Sequence, residues 1–106
     1  MAKIPSIEAD IKMKAAADGG PDTTFAAGSS LMIAVASTTM LLEVRVLDAL
    51  SGRKSHNVGA GDSAFVVFLL INHPTVSYDG LRAGARFEIV SGGQTVGAGV
   101  VQARVD

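Results

Sequence analysis

The sequence predicts an all-β fold: a small closed antiparallel barrel of six strands in Greek-key order. Three observations carry that reading. Short apolar runs alternate with polar residues at a period of two, the spacing of a strand with one dry and one wet face. Gly-, Pro-, Asp- and Ser-bearing stretches separate those runs. A Gly-Gly dipeptide, Gly92-Gly93, sits between two of them, where a tight hairpin turn needs it. Closure follows because an open sheet of this size would leave long unpaired edges.

The first strand is clearest. Ile7, Ala9, Ile11 and Met13 alternate with Glu8, Asp10, Lys12 and Lys14. Residues 15–28 hold Gly19, Gly20, Pro21 and Asp22 and read as a long loop, with Phe25 turned back toward the core. Residues 30–36 form a second, mostly buried strand. Leu42, Val44 and Val46 alternate with Glu43, Arg45 and Leu47 as a third. A helix over residues 31–50 is the competing reading, since Ala, Met and Leu favour helix. Ser37, Thr38 and Thr39 interrupt it, and the charges at 43 and 45 recur at two rather than at three or four.

Residues 51–61 are polar and glycine-bearing, hence a loop. Residues 64–71 are a continuous Val/Phe/Leu/Ile run, expected as a central strand buried on both sides and ended by Asn72-His73-Pro74. Residues 86–90 and 95–105 form the last two strands. Gly97 and Gly99 inside the final strand mark a bulge, a barrel corner or a close backbone approach. Met13, Met32, Met40, Phe65, Phe68 and Phe87 occupy apolar strand positions and are expected in the core.

At 106 residues the chain is expected to be one domain, residues 1–106. It is 48% hydrophobic and 18% charged, unlike a disordered chain. A formal net charge of -1 supplies no overall field for phosphate polymers or anionic membranes. With no cysteine, disulfides and thiolate chemistry are excluded. The longest unbroken apolar run is far below the roughly 20 residues that span a bilayer, so no membrane association is expected. The start of the chain lacks the apolar core of a secretory signal, and a cytoplasmic location is expected.

Candidate contact residues are few. The hairpin tip, Ser91-Gly92-Gly93-Gln94, can expose backbone N–H groups to an anion or carbonyl, or can serve the turn alone. Residues 51–56 form the one basic cluster, with Arg53, Lys54 and His56, suited to an RNA phosphate or an acidic partner, or to a solvated loop. His73 lies beside Pro74 and near Asp79. One histidine with one carboxylate makes neither a metal site nor an acid–base pair, so a turn role or a partner contact remains. Tyr78, the one aromatic in a polar loop, is a candidate interface anchor. Gly59-x-Gly61 lacks both the third glycine and the following helix of a dinucleotide loop. No nucleophile–base–orienter set is visible, so the chain is read as non-catalytic, with no cofactor and no metal.

The stretch Gly92-Gly93-Gln94-Thr95-Val96-Gly97-Ala98-Gly99-Val100-Val101 closely resembles the last strands of the third domain of elongation factor Tu. Ile7-Glu8-Ala9-Asp10-Ile11 is similar to that domain's first strand, and Asp18-Gly19-Gly20 to the start of its next loop. Gly59-Ala60-Gly61-Asp62 resembles its Pro-Gly-Asp turn, and the apolar run ending in His73-Pro74 its long strand and His-Pro pair. The likeness runs through nearly the whole chain in order and is poorest over residues 24–57. It implies a six-stranded barrel in a translation-related binding module. In the family this domain touches aminoacyl-tRNA and the GTPase domain, and the counterpart of His73 faces tRNA. Two departures bear on that role. No phosphate-binding loop is present, so no GTP binding is expected. Residues 29–35 lack the family's arginine and aromatic, and Gln94 stands where arginine often follows the glycines.

These readings lead to a binding module contacting protein or structured RNA through Arg53, Lys54, His73, Tyr78, Gly92, Gly93 and Gln94 on loops at a barrel end. The alternative is an assembly protein acting as a homo-oligomer, because the stretch from Leu31 to Leu42 is aliphatic and poor in charge.

Overall fold

The computed structural model describes residues 4–20, 24–35, 41–51, 54–55, 57–73 and 75–106. Among the described residues seven strands form in chain order: β1 (Ser6–Met13), β2 (Ser30–Val35), β3 (Leu41–Ser51), β4 (Lys54–Ser55), β5 (Ser63–Leu69), β6 (Arg86–Ser91) and β7 (Gln94–Val105). Among the described residues the helical geometry is a single 3-10 turn, Ala16–Asp18.

Six strands pair in the order β2-β6-β7-β1-β5-β3, every pairing antiparallel. A sixth pairing, β2 with β3 from Ser30↔Arg45 to Ala34↔Leu41, closes the ring. The two-residue β4 attaches only to the end of β3. Strands β2, β3 and β5 run as consecutive antiparallel neighbours, and β1, which precedes them, lies beside β5. That is a Greek-key arrangement. The predicted six-stranded closed barrel is the observed fold.

Alternation sets which side chains fill it. Ile7, Ala9, Ile11 and Met13 point inward from β1, opposite Phe68, Val66 and Ala64 of β5 and Gly99 and Val101 of β7. Phe68 and Phe87 meet edge to face, with centroids 6.0 Å apart. Three bulges bend the ladders: at Leu47 between Val46 and Asp48, at Val96 opposite Ile89/Val90, and at Gln102 opposite Glu8/Ala9. Each adds one residue and twists the strand, as a closed barrel requires. The first moves the inward phase of β3 from Val44 and Val46 to Ala49 and extends this strand beyond the predicted 42–47.

Both ends are plugged. At one end Phe25 and Val58 exchange backbone hydrogen bonds of 2.9 and 2.8 Å and bury both side chains, as predicted for Phe25. At the other, the connection between β5 and β6 drops Leu70, Tyr78 and Leu81 into the core. The Tyr78 hydroxyl donates to the Glu43 carbonyl at 2.7 Å and accepts from the Asn72 N–H at 3.3 Å. Arg104 Nη1 donates to the Tyr78 carbonyl at 2.7 Å and the Leu81 carbonyl at 3.4 Å. Among the described residues no charged side chain is buried.

Three side-chain expectations are corrected. The β5 run is not buried on both sides: Ala64, Val66 and Phe68 face the core, while Phe65, Val67 and Leu69 are half-buried on the outer wall. A closed barrel has one interior, and nothing among the described residues covers the outside of β5. Phe65 is therefore a wall residue. Met32 also faces out, at 36% exposure, because Ile33 and Val35 take the inward phase of β2. Met40 lies outside the described residues.

Candidate docking surface

The seven predicted contact residues do not share one surface. Strand directions put the β6–β7 turn at the barrel end where β1 finishes and β5 begins. His73 and Tyr78 follow β5 and belong to the opposite end. Arg53 lies outside the described residues, as do His56 and Pro74, and of Lys54 only the backbone is described, paired to Ser51.

The hairpin tip is a two-residue turn in which Gly92 and Gly93 both have positive φ, 57° and 79°. That backbone matches the right-handed twist of the flanking strands. Gln94 is exposed and pairs with Ser91. Gly93→Ala is expected to cost about 1 kcal/mol, because a Cβ disfavours this conformation; Gly92→Asn, which suits it, is expected to be neutral or stabilising by up to ~0.5 kcal/mol. Urea unfolding of both variants checks this.

His73 is exposed, and its N–H donates to the Leu70 carbonyl at 3.1 Å, a turn contact. Tyr78 is corrected as an interface anchor. It is fully buried, with its hydroxyl hydrogen-bonded inside, so a partner cannot dock on its ring. Gly59-x-Gly61 is a turn into β5, held by Asp62 Oδ2 accepting from the Gly59 N–H at 2.9 Å.

A wide, open groove of about 1140 Å³ lies elsewhere, on the outer wall, over β5, β1, β7 and β6 with Leu50 of β3 and Ala34 and Val35 of β2 at its margins. Strand register explains its shape. One row across the wall reads Leu50, Phe65, Asp10, Val100, Arg86, and the next reads Ser63, Lys12, Ala98, Glu88, Ala34. The middle strand, β7, presents only Ala98, Gly99 and Val100. Long side chains stand on both sides of it, Asp10 and Lys12 on β1 and Arg86 and Glu88 on β6. Small residues between long ones make a trough along β7.

Gly97 and Gly99 thin β7 further, for an inward reason. A Cβ on Gly99 would stand 2.6 Å from Phe87 Cζ and 2.7 Å from Ile11 Cγ2. One on Gly97 would stand 2.7 Å from Met13 Sδ. The predicted close approach is what these two positions require.

The trough walls carry two positive and two negative charges. Asp10, Lys12, Arg86 and Glu88 are all exposed. Glu88 accepts a 3.2 Å hydrogen bond from Thr95 Oγ1. Among the described residues the side chains of Asp10, Lys12 and Arg86 make no hydrogen bond or ion pair. Across β7 the two walls stand two strand spacings apart, about 10 Å. In the linear chain nothing pairs Asp10 and Glu88 with Lys12 and Arg86. The small outward residues of β7 were the available signal.

No protein-family model and no curated protein matches this chain.

Proposed function

We propose that this protein is a non-catalytic binding module, a barrel of the elongation factor Tu third-domain type, that docks a protein on its outer wall. The groove along β7 is the observation that carries the reading. It is open, floored by small and apolar residues, and rimmed by charges of both signs. Such a mixture of apolar floor and polar rim suits a protein surface. Phosphate recognition calls for clustered cations, whereas here Lys12 and Arg86 are offset by Asp10 and Glu88. The wall is preferred to the end loops because the loop residues fall at opposite ends.

A photo-crosslinking amino acid placed at Ala98, Gln94 or His73 in the intact chain tests the reading in its native host. Protein adducts arising mainly from Ala98 are expected. Adducts from Gln94 or His73 with none from Ala98, or Ala98 adducts sensitive to ribonuclease, would overturn it.

A further inference from the structure

We infer that the occupant of the β7 trough is a second copy of this chain, docked wall to wall about a two-fold axis lying in the wall. The inference rests on the reading of the wall as a protein-docking surface and adds the partner. Charge placement carries it. Going round the four corners of the trough, Asp10, Lys12, Glu88 and Arg86 alternate in sign. Such a checkerboard is complementary to itself.

Consider the symmetric docking modes of two such walls. An axis parallel to the strands exchanges the β1 and β6 sides. Asp10 then meets the second copy's Arg86, and Lys12 meets the second copy's Glu88, each pair formed twice, as isologous contacts require. An axis along a diagonal of the checkerboard sets like on like. An axis in the wall but perpendicular to the strands also matches signs, setting Asp10 against the second copy's Lys12 and Glu88 against its Arg86, and the double charge reversal below separates it from the strand-parallel axis.

The surroundings agree. Asp10, Lys12 and Arg86 have no side-chain partner within their own barrel among the described residues, so their charges are available to the second copy. Opposite charges across such a surface fix register and reject wrong partners as much as they add affinity.

Charge exchange is the test. Sedimentation equilibrium of the purified full chain at low salt is run on wild type, Lys12→Glu, Glu88→Lys and the double variant. Wild type is expected to self-associate, and association should weaken with salt. Each single reversal is expected to raise the dimer Kd at least roughly tenfold, and under the strand-parallel axis the double variant returns it to within about threefold of wild type. All four positions of the checkerboard are exposed, so the monomer fold should survive, and circular dichroism checks that. The reciprocal pair Asp10→Arg and Arg86→Asp supplies an independent second set. A wild type that stays monomeric from roughly micromolar to millimolar concentration overturns the inference. So do single reversals that leave the Kd within about threefold of wild type, whereas a double variant weaker than either single one supports the second copy and assigns the perpendicular axis. If the monomer persists while Ala98 still crosslinks to another protein, the docking wall stands and the second copy falls.

Discussion

Tyr78→Ala is expected to lower the unfolding free energy by about 3–5 kcal/mol and the melting temperature by roughly 15–20 °C. The ring is fully buried among the residues that plug one end of the barrel. Its removal leaves a cavity and also strips two backbone groups of their partner, the Glu43 carbonyl and the Asn72 N–H. Tyr78→Phe separates the two effects. It keeps the ring and should cost only about 1–2 kcal/mol, the value of a buried hydroxyl whose partners are left unsatisfied. A phenylalanine variant as unstable as the alanine one would place the stability in the hydrogen bonds and contradict the packing account. Calorimetry of the three proteins distinguishes the outcomes.

Gly99→Val is expected to destabilise by about 3 kcal/mol, the upper part of the range for overfilling a packed core. Its Cβ would press on Phe87, on Ile11 and, at 2.9 Å, on the Asp10 carbonyl, and two of these cannot yield easily, a β-branched side chain and a backbone oxygen. Gly97→Ala provides the contrast. Its nearest neighbour is the Met13 thioether at 2.7 Å, on a flexible side chain, although the Lys12 carbonyl stands at 3.0 Å. A cost near 1 kcal/mol is expected there, within the lower part of the same range. Equal losses at both positions in denaturant unfolding would show that strand glycine content matters, rather than what each glycine faces.

What could be read in the chain, and what could not, follows from the distance between partners. The dry face of β1 and the β6–β7 turn are local patterns. Ile7, Ala9, Ile11 and Met13 alternate within eight residues, and Gly92-Gly93 supplies its own positive φ. Tyr78 is the opposite case. In sequence it sits between Ser77 and Asp79 and looks solvated. Its hydroxyl partner is 35 residues away in Glu43, and only the folded connection brings the two together. The outer face of β5 is not legible in the sequence, because a run of Val, Phe and Leu has no polar phase to mark which side faces out. The wall is harder still. Asp10, Lys12, Arg86 and Glu88 become neighbours through two separate ladders, each with a bulge that shifts register by one residue. Nothing local encodes that count.

The same reasoning explains why the recognisable strings led toward the loops. Glycine turns, a basic cluster and a histidine–proline pair are conspicuous in a linear chain, and surface loops commonly carry function. A strand wall is built from unremarkable residues, and its chemistry exists only across strands. Here Ala98 and Val100 matter by being small, and the charges matter by the order of their signs.

The most direct measurement is a residue-resolved amide NMR spectrum of the wild-type chain followed from dilute to concentrated solution. The account predicts concentration-dependent shifts at residues 10–12, 86–88 and 98–100, with residues 91–94 and 72–82 unmoved. Shifts confined to those loops, or none across the whole range, would contradict it.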